Sequence, residues 1–314
     1  MKRVSLFFVI AFTLIGVVFL LETKGIITWR LNLPTAAKDI IESTTLSELQ
    51  LIMLDIGQGD AELLKFPDGQ TMLIDCGKDA SILSALGRNL PWSKRDLDYL
   101  IITHPHADHF GGCLDVLTRF KVHKVYLNGY LGEHSQLLGS FFETLKNEEQ
   151  IDGAKTLILK TPQTLAVGST TLQFIYPDHE LARDPRIPGA TENNLDANNT
   201  SVVIKVSYGS QDILFTGDME KPLENYLLKK NPLLLESEIL KVGHHGSDSS
   251  SGEEFVSSVK PKFCLISSGS SNSYGHPHGE TVRRLERANC QVLRTDQRGD
   301  ILLALTTSTS IIVK

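Results

Sequence analysis

The chain contains no C-x-x-C pair. Its four cysteines, Cys76, Cys113, Cys264 and Cys290, are scattered, which excludes a thiolate zinc ribbon or finger. An even count permits disulfides without demanding them, and Cys76 and Cys113 are expected to be small core fillers. Basic excess is missing too: 31 Lys and Arg stand against 37 Asp and Glu, for a net charge of -6. No general positive field draws in nucleic acid. This counts only modestly against a polyanionic substrate, because carboxylates that bind metal are neutralised by it. There is no short-period repeat and no low-complexity tract beyond serine-rich patches. Hydrophobic content of 41% and charged content of 22% exclude a disordered chain. A length of 314 residues allows one large domain or two ordinary ones.

Long apolar runs are scarce, with one exception. After Lys2-Arg3, eighteen residues from Val4 to Leu21 carry no charge. That is the threshold length for a membrane-spanning helix, and Glu22-Thr23-Lys24-Gly25 offers no small-x-small cleavage pattern. The basic pair before the run puts the N-terminus in the cytoplasm and the remainder outside. The expectation is an uncleaved signal anchor over residues 1–24, with a cleaved signal peptide as the alternative. Residues 25–48 read as a linker and 49–314 as one folded domain.

Within that domain, Leu51–Leu54, Ala61–Phe66 and Thr71–Ile74 read as strands joined by glycine-bearing turns. A helix is expected over Ala80–Leu90, a strand over Leu97–Thr103 and a helix over Asp108–Phe120. Strands at 122–127, 156–159, 171–176, 201–208, 212–216 and 238–242 follow, with helices near 134–147 and 220–229. Residues 177–199 read as a long loop. Strands run in groups with helices between them, a pattern suited to two packed sheets covered by helices on both outer faces.

Seven of the ten histidines fall in three clusters: His104, His106 and His109; His244 and His245; His276 and His278. The first, Thr103-His104-Pro105-His106-Ala107-Asp108-His109, follows the apolar run Tyr99–Ile102. On extended backbone His104 and His106 point the same way, whereas Asp108 and His109 open the next helix and point elsewhere. Two pairs of ligands suit two neighbouring ions better than one. Gly217-Asp218 and Gly243-His244-His245-Gly246 also follow apolar strands, so several strand ends would present ligands on rigid supports. His123, His134 and His179 lack companions and are expected to be structural or merely polar. The run Arg283–Arg287 reads as a solvated helix face.

The pattern His104-x-His106-x-Asp108-His109, with Gly217-Asp218 and His244, resembles the metallo-β-lactamase superfamily. Leu54–Ala61, Leu73–Gly77, Asn198-Asn199-Thr200-Ser201, His244–Ser247, Tyr274–Pro277, Arg294-Thr295-Asp296 and Gly299 bring it close to the ComEC/Rec2-type domain of DNA-uptake proteins. The resemblance covers Leu49 to the C-terminus. It implies an α/β chain with a four-layer αβ/βα sandwich and a dinuclear site at its edge. Where many members place a further histidine before Gly-Asp, this chain has Asn198 and Asn199.

By resemblance and geometry, His104 and His106 are expected to hold one ion, and Asp108, His109 and His244 the other. Asp218 would bridge them. His245 is the alternative ligand; strand phase favours His244, leaving His245 to face the substrate. Two divalent ions are expected, Zn²⁺ first and Mn²⁺ second, with metal-bound hydroxide attacking a phosphodiester. His276 is the candidate general acid. Asn199, Ser247 and Ser249 are candidate substrate contacts or caps, and Asp60 and Asp75 are candidate carboxylates behind the ligands. The implied activity is metal-dependent hydrolysis, first of extracytoplasmic DNA. Phosphorylcholine esters, lactams or lactones are the alternative substrates, and a non-catalytic binding component is the third reading.

Overall fold

In the first sheet, strands whose apolar residues alternate toward the partner sheet begin at Glu48, and a computed structural model describes residues 48–132, 135–189, 196–307 and 311–313. The chain runs through β1 (Glu48–Met53), β2 (Glu62–Lys65), β3 (Thr71–Ile74), β4 (Asp96–Ile102), β5 (Lys121–Leu127) and β6 (Lys155–Ile158). It then builds a second sheet from β7 (Gln163–Val167), β8 (Thr170–Tyr176), β9 (Val203–Tyr208), β10 (Gln211–Phe215), β11 (Ile239–Lys241), β12 (Phe263–Ile266) and β13 (Gln291–Arg294). Finally β14 (Ile301–Thr306) and β15 (Ile311–Val313) return to the first. The strand orders are β15-β14-β1-β2-β3-β4-β5-β6 and β13-β12-β11-β10-β9-β8-β7.

Met53, Leu64, Ile74, Ile101, Phe174, Val206, Phe215 and Leu303 fill the space between the sheets. A second apolar cluster lies under the helices Ser81–Asn89, Cys113–Arg119 and Gln136–Ile151, and a third under Lys221–Lys230 and Glu253–Val259. Helices, sheet, sheet and helices therefore make four layers. In each sheet one half is parallel: β3 to β6 in the first, β10 to β13 in the second. The carboxyl ends of these strands carry Asp75, Thr103-His104, Gly217-Asp218, Gly243–His245 and Ser267.

The expected elements are found with shifts of a few residues, and three points differ. The helix read over Asp108–Phe120 is two, Ala107–Phe110 and Cys113–Arg119. It breaks at Gly111-Gly112, where a Cβ would lie 2.3 Å from the Lys78 and Cys76 carbonyl oxygens, so the backbones touch there. Strand β7 was not expected; it is a short, largely exposed edge strand without apolar alternation. The cysteines are not plain core fillers. Cys76–Cys113 and Cys264–Cys290 are disulfides with Cα separations of 5.2 and 5.9 Å, because strand ends and helices far apart in sequence bring them together.

The expected span over 4–21, the linker and His134 lie outside the described residues. Among the described residues no helix is long and apolar enough to cross a membrane.

Candidate metal centre

The loop after β4 enters the centre through a buried polar network. Asp75, with its backbone at φ 55° just past β3, accepts from the Thr103 amide (2.8 Å) and the Thr103 hydroxyl (2.6 Å). Its carboxylate also lies 2.7 Å from His109 Nδ1. That contact turns His109 Nε2 toward Asp218 Oδ2, 3.2 Å away. His104 lies beside it, with ring centroids 4.1 Å apart and its Nδ1 near Thr103 Oγ1 (3.1 Å) and Ser201 Oγ (3.4 Å). Ser201 Oγ in turn accepts from the Asp218 amide at 3.0 Å. Gly217 has φ 51°, and a Cβ there would meet Ser201 at 2.9 Å; glycine is what lets the Asp218 turn close against it.

From the second sheet it is His245, not His244, that reaches this group. His245 Nε2 lies 3.2 Å from Asp108 Oδ2 and 3.4 Å from Asp218 Oδ2, while His244 Nε2 stands 4.0 Å from Asp218. Strand phase fails because it does not extend past Gly243: His244 and His245 both have positive φ, 46° and 52°, and the chain turns there. His245 Nδ1 faces Asp60 Oδ1 and the Ser267 carbonyl, each at 3.2 Å. Asp60 is held from below by the ammonium of Lys241, which also donates to the Gly217 carbonyl (2.8 Å) and lies 3.7 Å from Asp218 Oδ1.

The donor atoms of His104, His109 and Asp218 lie within 4.8 Å of one another, as do those of Asp108, His109 and His245, and of Asp60, Asp218 and His245. His106 stands next to His104, ring centroids 4.6 Å apart, but belongs to none of these close groups. His104 Nε2 and Asp218 Oδ1 are buried without a hydrogen-bond partner. Orphaned buried atoms of this kind are costly unless something else satisfies them. Imidazoles and carboxylates aimed at one point suit Zn²⁺ or Mn²⁺, so the residues fit a divalent metal.

Electrostatics separate the ligands. Burial opposes ionisation of Asp218, but His109 and His245 outweigh it and hold the carboxyl well below its usual range. Asp60 is likewise held down against burial, chiefly by Lys241. Burial would lower His245, yet Asp218 and Asp60 raise it to about 10. His104 is pushed well below its ordinary value, by burial first and His109 second, so its ring is neutral.

The remaining sequence candidates lie around this group with other contacts. Asn199 is buried and its Oδ1 accepts from the Glu220 and Leu223 amides (3.3 Å each), which caps the helix Lys221–Lys230. Ser249 donates to Glu220 (2.6 Å), and Ser247 pairs with Ser249 (2.9 Å). Glu220 Oε1 lies 2.9 Å from His244 Nδ1, so the two serines hold a carboxylate–imidazole pair at the mouth of the centre. His276 sits over His244, centroids 5.4 Å apart. Burial first, then His245 and His244, depress its pKa to about 4. His123 and His179 are engaged elsewhere, His123 near Asp96 and His179 between Asp178 and the Asp184 carbonyl. Arg283 and Arg287 pair with Glu280 on an exposed face.

Sequence reasoning missed Lys241, Glu220, Ser201 and Thr103. Lys241 had a signal, a lone charge in the apolar strand Ile239-Leu240-Lys241-Val242. Thr103 and Glu220 had none beyond nearness to ligands in the sequence, and Ser201 only its place in the Asn198–Ser201 motif.

A profile of the metallo-beta-lactamase superfamily matches residues 54–268. The chain belongs to the metallo-β-lactamase superfamily. Among curated proteins it is similar to ComE operon protein 3 of Bacillus subtilis, 31% identical over 278 residues covering 81% of this chain and 33% of that one. It is also similar to competence protein ComA of Neisseria gonorrhoeae, 26% identical over 84% of this chain and 33% of that one. The chain thus spans about a third of the length of these relatives, and the likeness supports a ComEC/Rec2-type domain. Among solved structures, the metallo-beta-lactamase fold protein YhfI of Bacillus subtilis shares the fold, with a TM-score of 0.52 and 15% identity over 82% of this chain and 99% of that one.

Proposed function

We propose that this metallo-β-lactamase-fold chain is a metal-dependent phosphodiesterase acting on DNA outside the cytoplasm. The observation that carries the hydrolase reading is the meeting of His104, Asp108, His109, Asp218 and His245 at one rim, with buried donor atoms left unpaired. His104, Asp108, His109, Asp218 and His245 would hold the ions, with His106 beside His104 as a further donor. Two divalent ions, when bound, lower the pKa of water to about 7 and take up charge on phosphoryl oxygens.

Asp75 and Asp60 fix His109 and His245 through Nδ1, so each ring presents Nε2 to the centre. Lys241 balances the carboxylates from below. His244 is the better proton donor to the leaving oxygen: Glu220 orients its Nδ1, and although burial opposes it, Glu220 and Asp218 raise its pKa. His276, neutral at pH 7, is assigned a hydrogen-bonding role instead. The DNA assignment is supported by the similarity to a relative named as a competence protein. Extracytoplasmic placement is supported by the Val4–Leu21 run and by two disulfides, which persist in oxidising compartments.

The test is purified protein, stripped of metal and reloaded with Zn²⁺ or Mn²⁺, given DNA, bis-p-nitrophenyl phosphate, a phosphorylcholine ester and a β-lactam. Metal-restored DNA cleavage that disappears in Asp108→Ala supports the reading. Turnover confined to the choline ester or the lactam overturns the DNA assignment.

A further inference from the structure

On the Asp108 side of the centre lies a cleft of about 440 Å³ that none of these steps uses. Gly57, Gln58, Lys78, Asp108 and the loop from Gly269 to Tyr274 line it. Asp108 stands at one end with 31% of its side chain exposed. Tyr274 also lines it, 66% exposed, and its ring is stacked on His276 at 23° with centroids 5.7 Å apart. The His276 ring is 5.4 Å from His244 and 6.1 Å from His245, so a file of rings leads from solvent to the reacting centre.

The loop that carries Tyr274 is fixed. Asn272 Nδ2 donates to the Gly269 carbonyl (2.8 Å) and the His276 carbonyl (2.6 Å). Its Oδ1 accepts from the Tyr274 and His276 amides at 3.1 and 2.9 Å. The Gly269 amide donates to Gln58 Oε1 at 3.2 Å, tying the two walls of the cleft together. The aromatic face is therefore placed before any ligand arrives, which spares the entropy of ordering it. Serines 270, 271 and 273 and the exposed Lys78 make the surroundings polar with one cation. An aromatic platform, polar walls and a cation are the means by which proteins hold unpaired nucleotides without reading their sequence.

We propose that this cleft is a single-strand subsite. The nucleotide next to the scissile phosphate places its base on Tyr274, and Lys78 meets a neighbouring phosphate. The proposal rests on the phosphodiesterase reading and sharpens it: bases stacked in a duplex cannot offer a face to Tyr274, so the preferred substrate is an unpaired strand.

The experiment measures binding of a short labelled oligothymidylate by the full-length, metal-loaded chain. Phosphorothioate links keep binding separate from turnover, and a duplex of equal length is the comparison. Tyr274→Ala is expected to weaken single-strand binding about tenfold, while Tyr274→Phe and Tyr274→Trp stay within about twofold of wild type. Lys78→Ala is expected to weaken it and to reduce its dependence on salt. Duplex binding by Tyr274→Ala should change less than about twofold. Unchanged single-strand binding in Tyr274→Ala overturns the proposal. So does equal loss in Tyr274→Phe, which would mean a hydroxyl contact, or equal weakening of duplex and single strand. Hydrolysis is scored separately: normal metal-dependent cleavage with unchanged binding in Tyr274→Ala removes this subsite alone. No phosphodiester cleavage by the wild type removes the parent reading.

Discussion

His244 and His245 are neighbours with different work. His245 is 2% exposed and faces Asp108 and Asp218; His244 leans on Glu220 with a quarter of its side chain in solvent. His245→Ala should lose bound metal, and His244→Ala should retain metal while turnover falls by about 10²- to 10⁴-fold. Metal analysis paired with steady-state kinetics separates the two. Glu224 gives a second check at this scale. It is buried and accepts from the Ser251 and Gly252 amides, and burial, its chief influence, pushes the carboxyl up to about 7 against those two donors. A folded-state pKa above the unfolded one means the neutral form favours folding. That contribution is complete below about 4.5 and is lost as pH rises through about 7. Thermal melts between pH 5 and 8 should therefore fall less in Glu224→Gln than in wild type. Equal slopes would show that this group does not titrate in that window.

At the level of elements, the turn after β4 was legible because its candidate ligands cluster within six residues, His104 to His109. The turn after β11 was legible only to the nearest residue, since no alternation survives two successive residues with positive φ. Asp60 and Asp75 were readable as polar residues in turns, but their partners were set by packing between elements far apart in sequence. The same holds for Cys76 and Cys113, 37 positions apart, whose bond ties the end of β3 to the helix behind the metal loop. Chain entropy alone assigns such a loop about 4 kcal/mol. Cys76→Ser with Cys113→Ser should lower stability by about that amount in chemical denaturation, with weaker metal retention, because Asp75 and His109 sit on the two segments the bond joins. A double variant as stable as the parent would remove that role.

For the whole molecule, grouped strands with helices between them implied two covered sheets, and that architecture is what the chain has. What grouping could not supply was the return of β14 and β15 to the first sheet beside β1, a long-range pairing with no local signature. The topology sets where the candidate ligands go: both parallel halves end at one rim, so residues spread from His104 to His245 meet there. The most direct test of that claim is the metal content of the purified full-length chain, counted per polypeptide, in wild type and in Asp218→Asn. About two divalent ions per wild-type chain are expected, with a marked loss in the variant. Equal metal in both proteins, or none in the wild type after reloading with Zn²⁺ and with Mn²⁺, would contradict it.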